Sequence, residues 1–229
     1  MIVSFEGFQG SGKTTLAVAA AYEENKKGIK VISNVHLNNM PDYKQFDLAW
    51  FIEHLVDHEM ENCVLLLDEA YQIFDSRSSQ TKMNKLFSYF VVQARKRDVD
   101  LYICTHHISH IDLRVQRAVD VRGACRHYKE KPCKKCKCKV CKGTGKIGKE
   151  DCPVCKGVGG TGEINGQTCE RCNGYGETGV TKGIFLNRRE RKRYTMQIFS
   201  PDYWHLFATK ERIPFQAKTL QGIDTMEVI

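Results

Sequence analysis

The sequence predicts an α/β protein, a parallel β-sheet with helices on both faces, interrupted by a small metal-binding module. Three observations carry this. Short apolar runs of strand length alternate with segments of helical period along residues 1–128. A glycine-rich turn joins the first strand-like run to an Ala-rich helix. Eight of the 11 cysteines fall between Cys133 and Cys172, in a stretch with many glycines and few large apolar side chains. The predicted division is a discontinuous α/β domain over 1–128 and 178–215, a cysteine-rich module over 129–177, and a tail over 216–229.

Taken in order, Ile2–Glu6 reads as a strand, the turn follows, and the Ala-rich helix runs to about Lys26. Lys30–Asn34 is a second strand. Asp47 can cap a helix whose apolar stripe is Leu48, Phe51, Ile52 and Leu55, at i, i+3, i+4 and i+7. Cys63–Leu67 is a continuous apolar run of the length expected for a buried parallel strand. Met83, Leu86, Phe87, Phe90, Val91 and Ala94 lie on one face of the best-patterned helix. Leu101–Thr105 and Val119–Arg126 read as further buried strands. Gly183–Asn187 and Tyr194–Phe199 form a hairpin around the basic turn Arg188–Arg193.

At 229 residues the chain has room for one ordinary domain and a modest insertion. No apolar run reaches the roughly 18 residues of a membrane span, and Met1 leads directly into a strand, so neither a membrane span nor a secretory signal is expected. A cytoplasmic protein follows (host cytoplasm if the chain is viral, with transient residence at or within the virion). The excess of 35 Lys+Arg over 27 Asp+Glu, a net charge of +8, favours polyanionic partners. Without an export signal, 11 cysteines point to metal rather than disulfides.

Gly7-Phe8-Gln9-Gly10-Ser11-Gly12-Lys13-Thr14 fits GxxxxGK[ST] between a strand and a helix. Its glycines let backbone N–H groups turn inward around phosphates, and the helix N-terminus adds a favourable dipole. Lys13 would neutralise β- and γ-phosphates and the Thr14 hydroxyl would ligate Mg²⁺. Gly7, Gly10, Ser11, Gly12, Lys13, Thr14 and Thr15 are thus the expected phosphate-binding residues. Val64-Leu65-Leu66-Leu67-Asp68-Glu69 ends a buried strand in two acids: Asp68 suits the Mg²⁺ water shell, and Glu69 can polarise an attacking water. If Leu101–Thr105 lies between these two motif strands, Thr105 or His106 would face the γ-phosphate. His106 and His107 as metal ligands is the weaker alternative.

Gln93-Ala94-Arg95-Lys96-Arg97-Asp98-Val99-Asp100-Leu101, running into Cys104-Thr105-His106 and then Ile111-Asp112 and Arg114 to Arg117, resembles the FtsK/HerA superfamily of DNA-pumping ATPases. The Zot-like and viral genome-packaging members are nearest. Asp68-Glu69-Ala70, Ser76-Arg77-Ser78-Ser79, Asn84 and Tyr203–Glu211 fit the same pattern. The resemblance implies a RecA/ASCE-type P-loop NTPase fold that consumes ATP with Mg²⁺. Lys13, Thr14, Asp68 and Glu69 match the ATPase positions, and His106 stands where the family usually has glutamine. Arg95 is the first choice for an arginine finger acting on a neighbouring subunit, with Arg114 and Arg117 behind it. On a helical wheel Arg95 flanks the apolar stripe, which predicts a free guanidinium. A finger in trans requires a homo-oligomeric ring, a hexamer or pentamer. The leading expectation is an ATPase that moves double-stranded DNA into a viral capsid, docked on a capsid vertex protein. The alternatives are a Zot-like phage assembly or extrusion ATPase, a type II thymidine kinase-like nucleoside kinase, and a nucleotide switch fused to a binding module.

The module contains three copies of CxxCxGxG, at Cys138/Cys141, Cys152/Cys155 and Cys169/Cys172, and an incomplete fourth at Cys133/Cys136. Two CxxC turns close one tetrahedral Cys₄ site, so eight cysteines give two zinc ions with none left over. Val140, Ile147, Val154, Val158, Ile164 and Tyr175 are the only side chains that could form a core, too few to offset the chain entropy. Metal must therefore fold the module. Spacing alone leaves the pairing open. The pattern is similar to the cysteine-rich domain of DnaJ-type chaperones, which implies that the outer two motifs share one zinc and the inner two the other. Its basic surface could meet DNA or a partner protein, and Arg188, Arg189, Arg191, Lys192 and Arg193 form a denser patch for phosphate contact.

Overall fold

The computed structural model describes residues 1–54, 60–74 and 82–208. Its main sheet holds β1 (Ile2–Glu6), β2 (Lys30–Ser33), β3 (Tyr43–Gln45), β4 (Cys63–Leu67), β5 (Val99–Thr105) and β6 (Val121–Glu130). Between them run α1 (Lys13–Asn25), α2 (Leu48–Glu53), α3 (Lys82–Gln93) and α4 (Leu113–Ala118). Two short ribbons, β7 (Lys146–Ile147) with β8 (Glu150–Asp151) and β9 (Glu163–Ile164) with β10 (Gln167–Thr168), belong to the cysteine module. The hairpin β11 (Thr178–Asn187) and β12 (Lys192–Phe199) returns to the main sheet.

The strand order is β12-β11-β6-β1-β5-β4-β2-β3, with β3 through β6 parallel and β11 and β12 antiparallel. Strand β4 is apolar and buried throughout because both its faces are covered. Cys63, Leu65 and Leu67 of β4 join one core with Phe51, Phe87 and Phe90 from α2 and α3. Val64 and Leu66 join the other, with Leu16, Ala17 and Val18 of α1 and with Leu206 and Phe207. Period-two alternation along a strand thus builds two cores from one run of apolar residues. The Asp47 side chain accepts the N–H of Trp50 at 3.0 Å, so the predicted N-cap is present. The short edge strand β3 was not predicted, since Tyr-Lys-Gln carries no alternating apolar signal.

The β6/β11 ribbon is longer than the sequence suggests. It pairs from Val121↔Asn187 to Glu130↔Thr178, and the cysteine module hangs from its end. The six apolar residues counted as a possible module core are not one. Val140, Ile147, Val154, Ile164 and Tyr175 are exposed, whereas all eight cysteines are buried. Leu55, Ser76–Ser79, Thr209–Glu211 and the predicted tail lie outside the described residues.

Candidate nucleotide site and cysteine tetrads

Strand β5 lies between β1 and β4, so the carboxyl ends of the three strands meet at one edge of the sheet. That is where an open parallel sheet offers a ligand crevice. The loop after β1 is tied to the end of β5 by Gly7 N–H donating to His106 O at 3.2 Å. Gly12 precedes α1 at φ 82°, and a Cβ there would approach Thr181 Cγ2 to 2.4 Å, so glycine is required on two grounds. Lys13 Nζ folds across the loop and donates to the carbonyls of Gly7 (3.0 Å) and Phe8 (3.1 Å). Gly10, Gly12, Lys13, Thr14 and Thr15 line a cleft of about 740 Å³, while Gly7 lies behind Ser11. The Ser11 hydroxyl is buried with no hydrogen-bond partner. An orphaned donor in a glycine-rich loop at a helix start fits an anion that would satisfy it.

Across the cleft, Thr14 Oγ1 donates to Asp68 Oδ2 at 2.9 Å. Burial pushes the Asp68 carboxyl upward, the Thr14 hydrogen bond opposes this, and the charge of Glu69 adds to the rise. A hydroxyl and a partly desolvated carboxylate at this separation fit a hard divalent cation. Asn34 fixes Asp68 from behind: its Oδ1 accepts the Asp68 N–H at 2.8 Å and its Nδ2 donates to the Asp68 carbonyl at 2.8 Å. Sequence reading missed Asn34, whose only signal is a polar residue directly after an apolar strand.

Glu69 adopts φ 48°, a left-handed conformation that turns its side chain off the strand direction. Its Oε2 is buried without a hydrogen-bond partner, 3.8 Å from His106 Nε2. Of the two residues predicted to face the γ-phosphate, His106 lies beside Glu69. Buried Thr105 instead donates to the His107 carbonyl at 3.2 Å. Among the described residues, the histidines belong to no metal-binding cluster.

Arg95 departs from expectation. It sits in a 3-10 turn, Ala94–Arg97, and its guanidinium is paired with Asp120 rather than free. Asp120 precedes β6 and accepts Ile2 N–H at 2.9 Å, which puts this pair at the opposite edge of the sheet from the phosphate loop. Arg189 binds the same carboxylate at 2.9 Å, and Arg117 and Arg188 line the groove beside it. Arg114 is held in a two-point contact with Asp112, both at 2.9 Å. The basic turn is therefore partly committed: Arg188 donates to the Val119 carbonyl, Arg189 binds Asp120 and Lys192 lies 3.5 Å from Glu190, while all five basic residues stay exposed.

The eight clustered cysteines form two tetrads, Cys133/Cys136/Cys169/Cys172 and Cys138/Cys141/Cys152/Cys155, the Sγ atoms of each within 4.8 Å of one another. The outer motifs pair with each other and so do the inner ones. Gly145, Gly159 and Gly176 N–H groups donate to Cys141, Cys155 and Cys172 Sγ at 3.3, 3.2 and 3.3 Å. Such donors stabilise thiolates, the form a metal ligand must take. The incomplete first motif is completed from elsewhere in the chain. Gly162 supplies a backbone hydrogen bond to Cys136, and its carbonyl accepts Cys169 N–H at 2.7 Å. Buried all-sulfur tetrads with amide support fit zinc. Cys63, Cys104 and Cys125 stand apart in the cores, their thiols pushed up by burial.

A family model described as zonular occludens toxin (Zot) matches residues 1–130. The N-terminal domain of zonular occludens toxin from Neisseria meningitidis is similar in structure, with a TM-score of 0.52 at 14% identity, over 90% of this chain and 97% of that one. The genome packaging NTPase B204 of Sulfolobus turreted icosahedral virus 2, in complex with ATP-gammaS, aligns with a TM-score of 0.47 at 14% identity, over 85% and 95% of the two chains. No curated protein matches. The fold is that of a P-loop NTPase carrying a cysteine-rich module, and, by a match over more than half its length, the chain belongs to the Zot family.

Proposed function

We propose that this chain is a DNA-stimulated ATPase that moves double-stranded DNA, working as a packaging-type motor. The observation that carries the reading is the unsatisfied Glu69 Oε2, buried beside His106 at the edge where Thr14 and Asp68 meet. A carboxylate with a free acceptor at that point is placed to take a proton from water as the water attacks a γ-phosphate. Lys13 leaves two backbone carbonyls to meet the phosphates, and the orphan Ser11 hydroxyl gains an acceptor. Thr14 and Asp68 would hold Mg²⁺, which neutralises charge shared between β- and γ-phosphates. His106, touching Glu69 through 3.8 Å, would register whether the γ-phosphate is present.

In a ring, the edge carrying Arg95 would face the phosphate-loop edge of the next subunit, as a head-to-tail interface demands. Arg95 would then exchange Asp120 for the neighbour's γ-phosphate. Exposed Arg191, Lys192 and Arg193 are the candidate DNA contacts. A second reading, phage assembly or extrusion, is favoured by the family match over residues 1–130.

The test is ATP turnover with and without nucleic acid. Duplex DNA should stimulate turnover, with stimulation falling steeply as salt rises. Stimulation by single strands alone would favour the assembly reading. Turnover indifferent to any nucleic acid, or phosphate transfer to thymidine, would overturn both readings. Glu69→Gln should bind ATP yet lose roughly 10²–10⁴-fold in turnover. Mixing Arg95→Ala with Lys13→Ala subunits should restore part of the activity if the finger acts across the interface.

A further inference from the structure

The cleft extends well beyond the phosphate loop. Its far end is lined by His127, Lys129, Tyr175, Glu177, Trp204 and Phe207. These residues come from three sources: the β6/β11 ribbon, the Cys169/Cys172 turn, and the short turns that follow β12. Trp204 and Tyr175 meet at 86° with ring centroids 5.1 Å apart, and His127 meets Trp204 at 61° and 6.3 Å. Rings set nearly at right angles form a corner and leave aromatic surface unstacked. Trp204 and His127 are half-buried and Tyr175 is 38% exposed, so this surface opens into the cleft.

The corner is braced from the phosphate end. His127 Nδ1 lies 2.8 Å from Thr181 Oγ1, and Thr181 Oγ1 lies 2.7 Å from Ser200 Oγ. Thr181 is the residue against which Gly12 is packed, so one chain of contacts joins the phosphate loop to the aromatic corner. The Cys169/Cys172 turn is held on the same side at alternate positions. Arg171 binds Glu130 at 2.8 Å, Asn173 donates to Asp202 at 3.2 Å, and Tyr175 meets Trp204.

We propose that Trp204 and Tyr175 form a nucleobase subsite, so that the cysteine module walls the same cleft whose other end takes the phosphates. The cleft volume, about 740 Å³, lies within the range of roughly 300–1,000 Å³ typical of ligand sites. A ligand anchored by its phosphates at Gly10–Thr15 would extend its base toward the Trp204–Tyr175 corner, the closer-set of the two ring pairs given for the cleft-lining residues. Stacking on aromatic rings tolerates any base but favours the larger purines. The proposal rests on the nucleotide reading above and is separable from it.

The experiment compares ATP with inorganic tripolyphosphate, which offers the phosphates without a base, by calorimetry on the whole chain. Wild type should bind ATP more tightly than tripolyphosphate. Trp204→Ala, and Tyr175→Ala as a second variant, should weaken ATP by about 10-fold or more and leave tripolyphosphate unchanged. Trp204→Phe should recover most of the loss. Equal weakening of both probes would mean a general disturbance of the cleft, and unchanged ATP affinity in both alanine variants would place the base elsewhere; either result overturns the subsite. If the wild-type chain binds neither probe, the nucleotide reading itself fails.

Discussion

Asp68 carries two opposing demands. It must be ionised to hold a cation, yet burial already pushes its carboxyl upward, with Glu69 beside it adding to the rise. A carboxyl whose folded value exceeds its unfolded one binds protons more readily when folded. Its cost to stability is therefore greatest at neutral pH and fades as pH falls through the raised value. Asp68→Asn removes that charge, and the Thr14 hydroxyl can turn from donor to acceptor against the new amide. The variant should melt higher than wild type at pH 7 without nucleotide or Mg²⁺, with the difference narrowing on acidification, and should lose Mg-nucleotide binding. A lower melting point at pH 7 would show that the Asp68 charge is compensated. Lys13, Thr14, Asp68 and Glu69 were legible in the sequence because their chemistry fixes their spacing relative to strand ends. Asn34 was not, because a polar residue after a strand is ordinary until the tertiary pairing with Asp68 is seen. Arg95 shows the converse: a helical wheel reports direction from its own axis and says nothing of an acid such as Asp120, 25 residues away.

At the scale of elements, the Cys169/Cys172 turn and Gly162 decide how the cysteine module is assembled. Gly162 has φ +80°, and a Cβ there would lie 2.0 Å from the Gly174 carbonyl oxygen, a contact backbone cannot relieve by rotating a side chain. Gly162→Ala should disrupt the outer tetrad, which Gly162 supports through Cys136 and Cys169, and spare the inner one. Metal analysis should fall from two zinc ions per chain to about one, and retention of two would remove Gly162 from this role. Eight ligands in CxxC pairs made the module's chemistry legible, but the sequence could not show that Gly162 substitutes for the missing half of the first motif. The ribbon was likewise underestimated. His127–Glu130 and Thr178–Lys182 lack a continuous apolar face, since one side of this extension lies outside the main core, and so gave no strand signal. Glu130, held near pKa 2 chiefly by Arg171 and then by the Thr178 hydroxyl, keeps its charge through the neutral range. Its pairing contributes above the unfolded carboxylate value and is lost as pH falls toward 2, so it does not vary between pH 6 and 8.

For the molecule as a whole, the strand order does most to create function, because β5 between β1 and β4 brings the phosphate loop, Asp68-Glu69 and His106 to one edge. Alternation of strands and helices predicted a parallel sheet, while the order rested on a conditional reading of Leu101–Thr105. The same architecture places the module's Tyr175 against Trp204, and with the proposed base subsite this would tie metal to nucleotide. Tyr175 N–H donates to the Cys172 carbonyl at 2.9 Å, and the next residue, Gly176, donates to Cys172 Sγ at 3.3 Å. With five of its six largest apolar side chains exposed, the module has little besides its tetrads to hold that turn in place. Removing metal with a chelator should therefore abolish amide-exchange protection across residues 131–177 while β1, β4 and β5 stay protected. It should also weaken ATP by the same factor as Tyr175→Ala, about 10-fold, and leave tripolyphosphate binding unchanged. Chelation applied to the Tyr175→Ala variant should then cost no further affinity, since both changes remove the same ring. Additive losses would mean that metal acts on the cleft by another route, and an unchanged ATP affinity after chelation would mean that the turn keeps its fold without metal.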